Sequence, residues 1–168
     1  MKIISAIALV AAIAVAGCSS DEAAKPTANT GVNSGANTSG TGGPSPNSVA
    51  YFNQVVGDRV FFGTDQHRLD GDAQSTLQRQ AQWLSANPGT NVTIEGHADE
   101  RGTRQYNLAL GARRANSVRS YLISQGVPAA RLRAVTFGKE RPVALGSDAN
   151  SWSQNRRGVS VVAGAPTS

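Results

Sequence analysis

Residues 91–122 read NVTIEGHADERGTRQYNLALGARRANSVRSYL, and their pattern decides the fold. NVTIEG alternates, with Val92 and Ile94 on one side, as a half-buried strand does. HADERGT breaks that alternation and forms a loop. Gly102 permits a tight turn there, because glycine adopts positive φ at little cost. Over 107–125 the apolar period changes to three or four, with Leu108, Ala112, Ala115, Val118 and Leu122 in one stripe and Tyr121 beside it. Gly126 and Pro128 stop this helix. The strand, loop and returning helix gather Glu95, His97, Asp99, Glu100 and Arg101 at one junction, and Arg113 and Arg114 lie on the helix that folds back.

The flanks extend this unit. Residues 58–65, DRVFFGTD, predict a short strand with Val60, Phe61 and Phe62 at its core. A helix follows over 69–87, with Leu69, Ala73, Leu77, Ala81 and Leu84 as its stripe, Trp83 at the edge, and Asp70 and Asp72 at the favoured N-terminal end. Residues 131–138 predict a strand with Leu132, Ala134 and Thr136 on one face and Val135 and Phe137 on the other. Residues 50–57 form a short helix or a loop. Residues 147–155 hold one or two helical turns around Trp152, and 157–164 a closing strand. The order is β-α-β-α-β-β, an α+β two-layer sandwich with a mixed sheet whose last two strands can lie antiparallel. No G-x-G-x-x-G follows the first strand and no G-x-x-x-x-G-K-[ST] occurs, which excludes the common nucleotide-binding signatures.

The rest of the chain reads as delivery and tether. Lys2 precedes an apolar run at 3–17, too short for a stable membrane span and suited to a signal peptide. The run ends in VAGC at 15–18, which resembles the bacterial lipoprotein processing box, with Cys18 the chain's single cysteine. That resemblance implies cleavage before Cys18 and acylation of it, and Ser19 in the next position resembles outer-membrane sorting. Two membrane signals already give stable attachment. Residues 18–48 are Gly, Ser, Thr, Asn, Ala and Pro with almost no large apolar side chain, a flexible linker with a span of about 30 Å. Residues 49–165 then supply one independent core. The formal charge is +5. The arginines alternate with acids and form no long basic run, which argues against nucleic acid as a partner.

The charged junction invites three chemical readings. Zinc needs about four convergent ligands, usually including His or Cys. Glu95, His97 and Asp99 alternate, but the only other histidine is His67, and Cys18 belongs to the membrane. Glycoside hydrolysis needs two carboxylates flanking a bond. Glu95, Asp99 and Glu100 are candidates, but no aromatic-lined cleft accompanies them, and no G-x-S-x-G supplies a nucleophile. A helix returning from the strand brings Arg113 or Arg114 near Asp99. Such an Asp–Arg pair is either scaffolding or a receptor for a zwitterion, since each partner keeps unused hydrogen-bond capacity. Glu100 and Arg101 read as loop surface. His97 either rims the pocket or packs inside.

Residues 96–122, together with VTIEGHADERGT, FGKERP at 137–142 and Asn155-Arg156-Arg157, resemble the peptidoglycan-binding motif of the OmpA C-terminal-like superfamily. Within it they are most similar to the Pal lipoprotein branch, over about 58–163. The resemblance implies a non-catalytic module without a cofactor that binds the stem peptide of peptidoglycan at meso-diaminopimelate. It implies that Asp99 engages the diaminopimelate ammonium and that Arg114 holds its carboxylate or orients Asp99 through a bidentate contact. Asn107 donates to the ligand or braces the loop. Gly63 stands where the branch often has aspartate, which leaves Thr64 and Asp65 as that loop's contributors. The resemblance further implies an outer-membrane lipoprotein whose domain faces the periplasm. Its partners would be a TolB-like and a TolA-like protein, in envelope integrity and cell division. A wall anchor unconnected to Tol and an enzyme acting on peptidoglycan are the competing readings.

Overall fold

The computed structural model describes residues 43–163. The leader, Cys18 and the linker as far as residue 42 lie outside the described residues. The elements are α1 (Val49–Tyr51), continued by a π-helical turn (Phe52–Gly57), β1 (Arg59–Phe61), α2 (Gly71–Ala86), β2 (Val92–His97), α3 (Arg104–Ser124), a 3-10 turn (Ala129–Arg131), β3 (Leu132–Gly138), α4 (Ala149–Asn155) and β4 (Arg157–Val162). The sheet order is β1-β4-β2-β3. β4 is antiparallel to both β1 and β2, while β2 and β3 are parallel. The last two strands thus run in opposite directions, but β2 lies between them.

Side-chain oxygens start the helices, each accepting from an orphan backbone N–H of the first turn. Asp70 Oδ1 accepts from Ala73 N at 2.8 Å, Thr103 Oγ1 from Tyr106 N at 3.2 Å, and Asp148 Oδ1 from Ser151 N at 3.1 Å. The Thr103 cap explains why α3 begins at Arg104 rather than at 107. Past its C-terminus Gly126 takes φ +92°, and the N–H of Val127 bonds Leu122 O at 3.1 Å, which satisfies a terminal carbonyl.

Alternation assigns the two faces of the sheet. Val92, Ile94, Leu132 and Val162 face the helices and join Leu77, Leu84, Val118 and Leu122 in the core. Gln80 is buried there, but its amide donates to Gly57 O at 2.6 Å and accepts from Ser160 Oγ at 2.8 Å, so its polarity is satisfied. The stripe expected on α3 is corrected in its first half. Leu108 and Ala112 are only half-buried, and Asn107, Leu110, Gly111 and Arg114 face inward instead. The reason is backbone contact. A Cβ at Gly96 would collide with Gly111 O, so α3 rests directly on β2 at that point. The expected first strand is shorter than 58–65, with Val60 and Phe62 buried and Phe61 turned outward at 49% exposure.

The other face carries Glu95, His97 and Arg157, all buried. The segment after β3 returns over it. Arg157 Nη2 donates to Arg141 O at 3.2 Å, and Asn155 Oδ1 accepts from Val143 N at 2.8 Å.

Candidate functional site

The β2–α3 loop opens a cleft of about 370 Å³, lined by Thr64, Asp65, Asp99, Arg101, Gly102, Tyr106, Asn107, Leu110 and Arg114. All five ligand positions expected within the domain (Asp99, Arg114, Asn107, Asp65 and Thr64) thus border one cleft. β2 ends at His97 and delivers Asp99 to its floor. α3 presents Asn107, Leu110 and Arg114 on one face at helical spacing. The loop after β1 supplies Thr64 and Asp65. Asp65 adopts φ +57°, a left-handed conformation that short polar side chains tolerate, and its carboxylate accepts from the Tyr106 hydroxyl.

Arg114 is fully buried and donates to three backbone carbonyls: Nε to Gln66 O at 2.8 Å, Nη1 to His97 O at 2.8 Å and Nη2 to Gly63 O at 3.1 Å. It therefore locks the β1 loop to the end of β2. The bidentate contact from Arg114 to Asp99, one of the two roles expected of it, is corrected. The guanidinium is instead spent on these carbonyls, of which His97 O is buried. Burial, then repulsion from Arg156, lowers its pKa to about 10, so it stays charged at neutral pH. Arg113, the other candidate on α3, is exposed.

Asp99 has different cationic partners. Arg101 donates Nε to Oδ1 at 3.2 Å and Nη2 to Oδ2 at 2.7 Å, and its backbone N–H reaches Oδ1 at 3.1 Å. Arg156 Nη1 reaches Oδ2 at 3.4 Å. Burial disfavours the ionised carboxylate, but the hydrogen bonds and charge of Arg101, with Arg156, outweigh it and hold the Asp99 carboxyl below its ordinary range. Arg101 is an exposed loop residue, as expected, but the sequence did not show that its guanidinium pairs with Asp99. Its position two residues after Asp99 lets it wrap back on the carboxylate at a tight turn, where Gly102 has φ +85°. Arg156 was visible only as part of Asn155-Arg156-Arg157. Its sequence distance from Asp99 hid the contact, which β4 creates by pairing with both β1 and β2.

Further bonds stiffen the loop. Asn107 Nδ2 donates to Arg101 O at 2.7 Å, and Lys139 Nζ to Glu100 O at 2.9 Å and Gly102 O at 2.7 Å. Trp152 Nε1 donates to Glu100 Oε1 at 3.0 Å. Asn107 thus braces the loop from inside the cleft.

Glu95 and His97 do not join the cleft. Strand alternation turns them to the opposite face, where His97 stacks on Phe137 at 5.5 Å and Glu95 Oε2 lies 3.5 Å from His97 Nε2. Burial, reinforced by Arg157, Arg141 and Arg59, lowers the His97 pKa to about 3, so the imidazole is neutral at pH 7. Burial raises the Glu95 carboxyl. Among the described residues, no three His, Cys, Asp or Glu side chains come together as a metal site.

Comparison with known proteins agrees with this fold. The OmpA family pattern matches residues 61–156. The chain is 54% identical over 160 residues to the peptidoglycan-associated lipoprotein of Rhizobium meliloti, covering 95% of this chain and 87% of that one. It is 53% identical over 159 residues to the protein of the same name from Agrobacterium fabrum, with the same coverage of 95% and 87%. Among solved structures it is similar to the peptidoglycan-associated lipoprotein from Burkholderia pseudomallei, with TM-score 0.65 and 42% identity over 70% of this chain and 99% of that one.

Proposed function

Because this chain belongs to the OmpA family, in its peptidoglycan-associated lipoprotein branch, we propose that it binds the stem peptide of peptidoglycan non-covalently and tethers the outer membrane to the cell wall. The observation that carries this reading is the convergence of Asp99, Arg114, Asn107, Thr64 and Asp65 on one cleft. An amino-acid head group needs a fixed acceptor and a fixed donor close together. Asp99 is the acceptor for the ammonium of diaminopimelate. Arg114, immobilised beneath the cleft, supplies positive potential for its carboxylate and holds the 63–66 loop in place.

Acylation of Cys18 anchors the chain in the outer membrane, the linker gives reach, and the domain faces the periplasm. Each head group offers few contacts, so many membrane-held copies supply the avidity. On the family resemblance alone, the proposal extends to a TolB-like periplasmic partner and a TolA-like protein, with a role in envelope integrity and cell division.

The test is retention on purified sacculi. Wild-type protein should sediment with them and be released by free diaminopimelate peptide, while Asp99→Ala should stay in solution. Equal retention of both proteins would sink the assigned site. Cys18→Ala should lose fatty-acid labelling and outer-membrane fractionation, and continued fractionation would oppose the anchor.

A further inference from the structure

The face of the sheet turned away from the helices holds a polar cluster that the cleft does not use. Glu95 and His97 on β2 and Arg157 on β4 are 3%, 0% and 1% exposed. Five of their side-chain atoms are buried without a hydrogen-bond partner among the described residues. They are Glu95 Oε2, both ring nitrogens of His97, and Arg157 Nε and Nη1. Buried polar groups left bare are rare and costly, so five in one place point to a bound partner.

The neighbouring side chains are already engaged. Arg157 Nη2 donates to Arg141 O at 3.2 Å, which seats the guanidinium beneath the segment after β3. Arg141 lays its own guanidinium over Phe137, 3.7 Å from the ring centre. Both Asp58 oxygens are taken by Arg59, at 2.8 and 2.9 Å. Glu95 makes no direct ion pair with Arg157. Each nevertheless feels the other's charge, which favours the ionised form of both. Two ions that sense but do not touch one another are commonly bridged by a third group.

The donors and acceptors decide what that group is. Arg157 offers only N–H donors and the Glu95 carboxylate only acceptors, while the neutral imidazole of His97 offers one of each. An anion suits Arg157 but meets Glu95. A metal cation suits Glu95 and an imidazole nitrogen but meets Arg157. Water donates and accepts, and a buried water makes about three hydrogen bonds to groups of this kind. We propose that the space between the sheet and the 139–148 segment is a buried water site, in which bound water joins Arg157 to Glu95 and His97. Asn155 clamps that segment through Val143 N, Ala144 N and Ala144 O. The water is therefore enclosed, and it exchanges only when the segment lifts. This inference does not depend on the stem-peptide reading.

Water-selective NMR on the full, unacylated chain tests it. Water should give cross-peaks to Arg157 Hε and to the His97 ring protons, with laboratory-frame and rotating-frame Overhauser effects of opposite sign, as long-lived bound water does. Glu95→Gln keeps an acceptor oxygen and should keep the cross-peak at Arg157. Glu95→Leu removes the acceptor and should lose it, with the amide spectrum reporting whether the variant is folded. Should Glu95→Leu fail to fold, the wild-type cross-peaks decide the matter alone. Absence of the Arg157 cross-peak in the wild type overturns the proposal, as do effects of equal sign, which surface water or proton exchange produces. An unchanged cross-peak in folded Glu95→Leu overturns the bridge. A saturable shift of Arg157 Hε on titration with sodium bromide would place an anion there instead and equally overturn it.

Discussion

Gly96 on β2 and Gly111 on α3 lie backbone to backbone, with no side chain between them. This contact sets the depth at which α3 crosses the sheet, and so where Asn107, Leu110 and Arg114 meet the end of β2. Gly96→Ala places a methyl group against Gly111 O, which is backbone and cannot swing away. It should destabilise the domain by about 3 kcal/mol, the upper range for overpacking a core. The urea midpoint measures the loss, and sacculus retention should fall even in the fraction that stays folded.

Arg114 and Arg113 adjoin in sequence and should behave oppositely. Arg114→Gln removes the guanidinium donors from the carbonyls of Gly63, Gln66 and the buried His97 and should cost roughly 3 kcal/mol. Arg113 is exposed, and Arg113→Gln should stay within about 0.5 kcal/mol of wild type. Chemical denaturation of the two variants decides the point, and similar midpoints would contradict the role given to Arg114.

His97 should make the protein sensitive to mild acid. Its pKa is lowered to about 3 in the fold, against about 6.5 in the unfolded chain. Between those values the unfolded chain binds the extra proton. Stability is therefore complete above pH 6.5 and declines as pH falls, with a slope of at most about 1.4 kcal/mol per pH unit. Glu95, whose carboxyl is raised, contributes in the opposite direction as it takes up its proton. His97→Gln should flatten the acid limb, and NMR titration of the wild-type imidazole should show it neutral at pH 5.

Asp99 has the reverse linkage. Its folded pKa is depressed, so the stability it contributes is present above about pH 3.9, the unfolded value, and is lost as pH falls through the folded one. Urea midpoints of wild type and Asp99→Asn should differ most near neutrality and converge in strong acid. Retention on sacculi should be absent from Asp99→Asn at every pH.

Much of the cleft was legible because it is built from local sequence. Asp99 follows a strand by two residues, and Asn107, Leu110 and Arg114 recur at helical spacing. The periods of two and of three to four identify the elements that carry them. The shift in the α3 stripe was harder to see. Leu108 and Ala112 fit an apolar period, but the helix turns toward a glycine contact that no hydrophobicity pattern marks. The sequence-adjacent Glu95, His97 and Asp99 were misleading in the opposite way. Alternation continues through His97 and sends the first two away from the cleft.

Local periodicity and side-chain chemistry were enough to give the order of elements, the family motif and five of the residues that border the cleft. Which charges pair emerges from packing alone. Arg156 reaches Asp99 because β4 inserts between β1 and β2, Arg114 is taken by carbonyls from two separate segments, and Arg101 lies between a carboxylate and a tryptophan far along the chain. Ion pairing depends on distances of a few ångströms between distant segments, and those are set by packing rather than by spacing along the sequence.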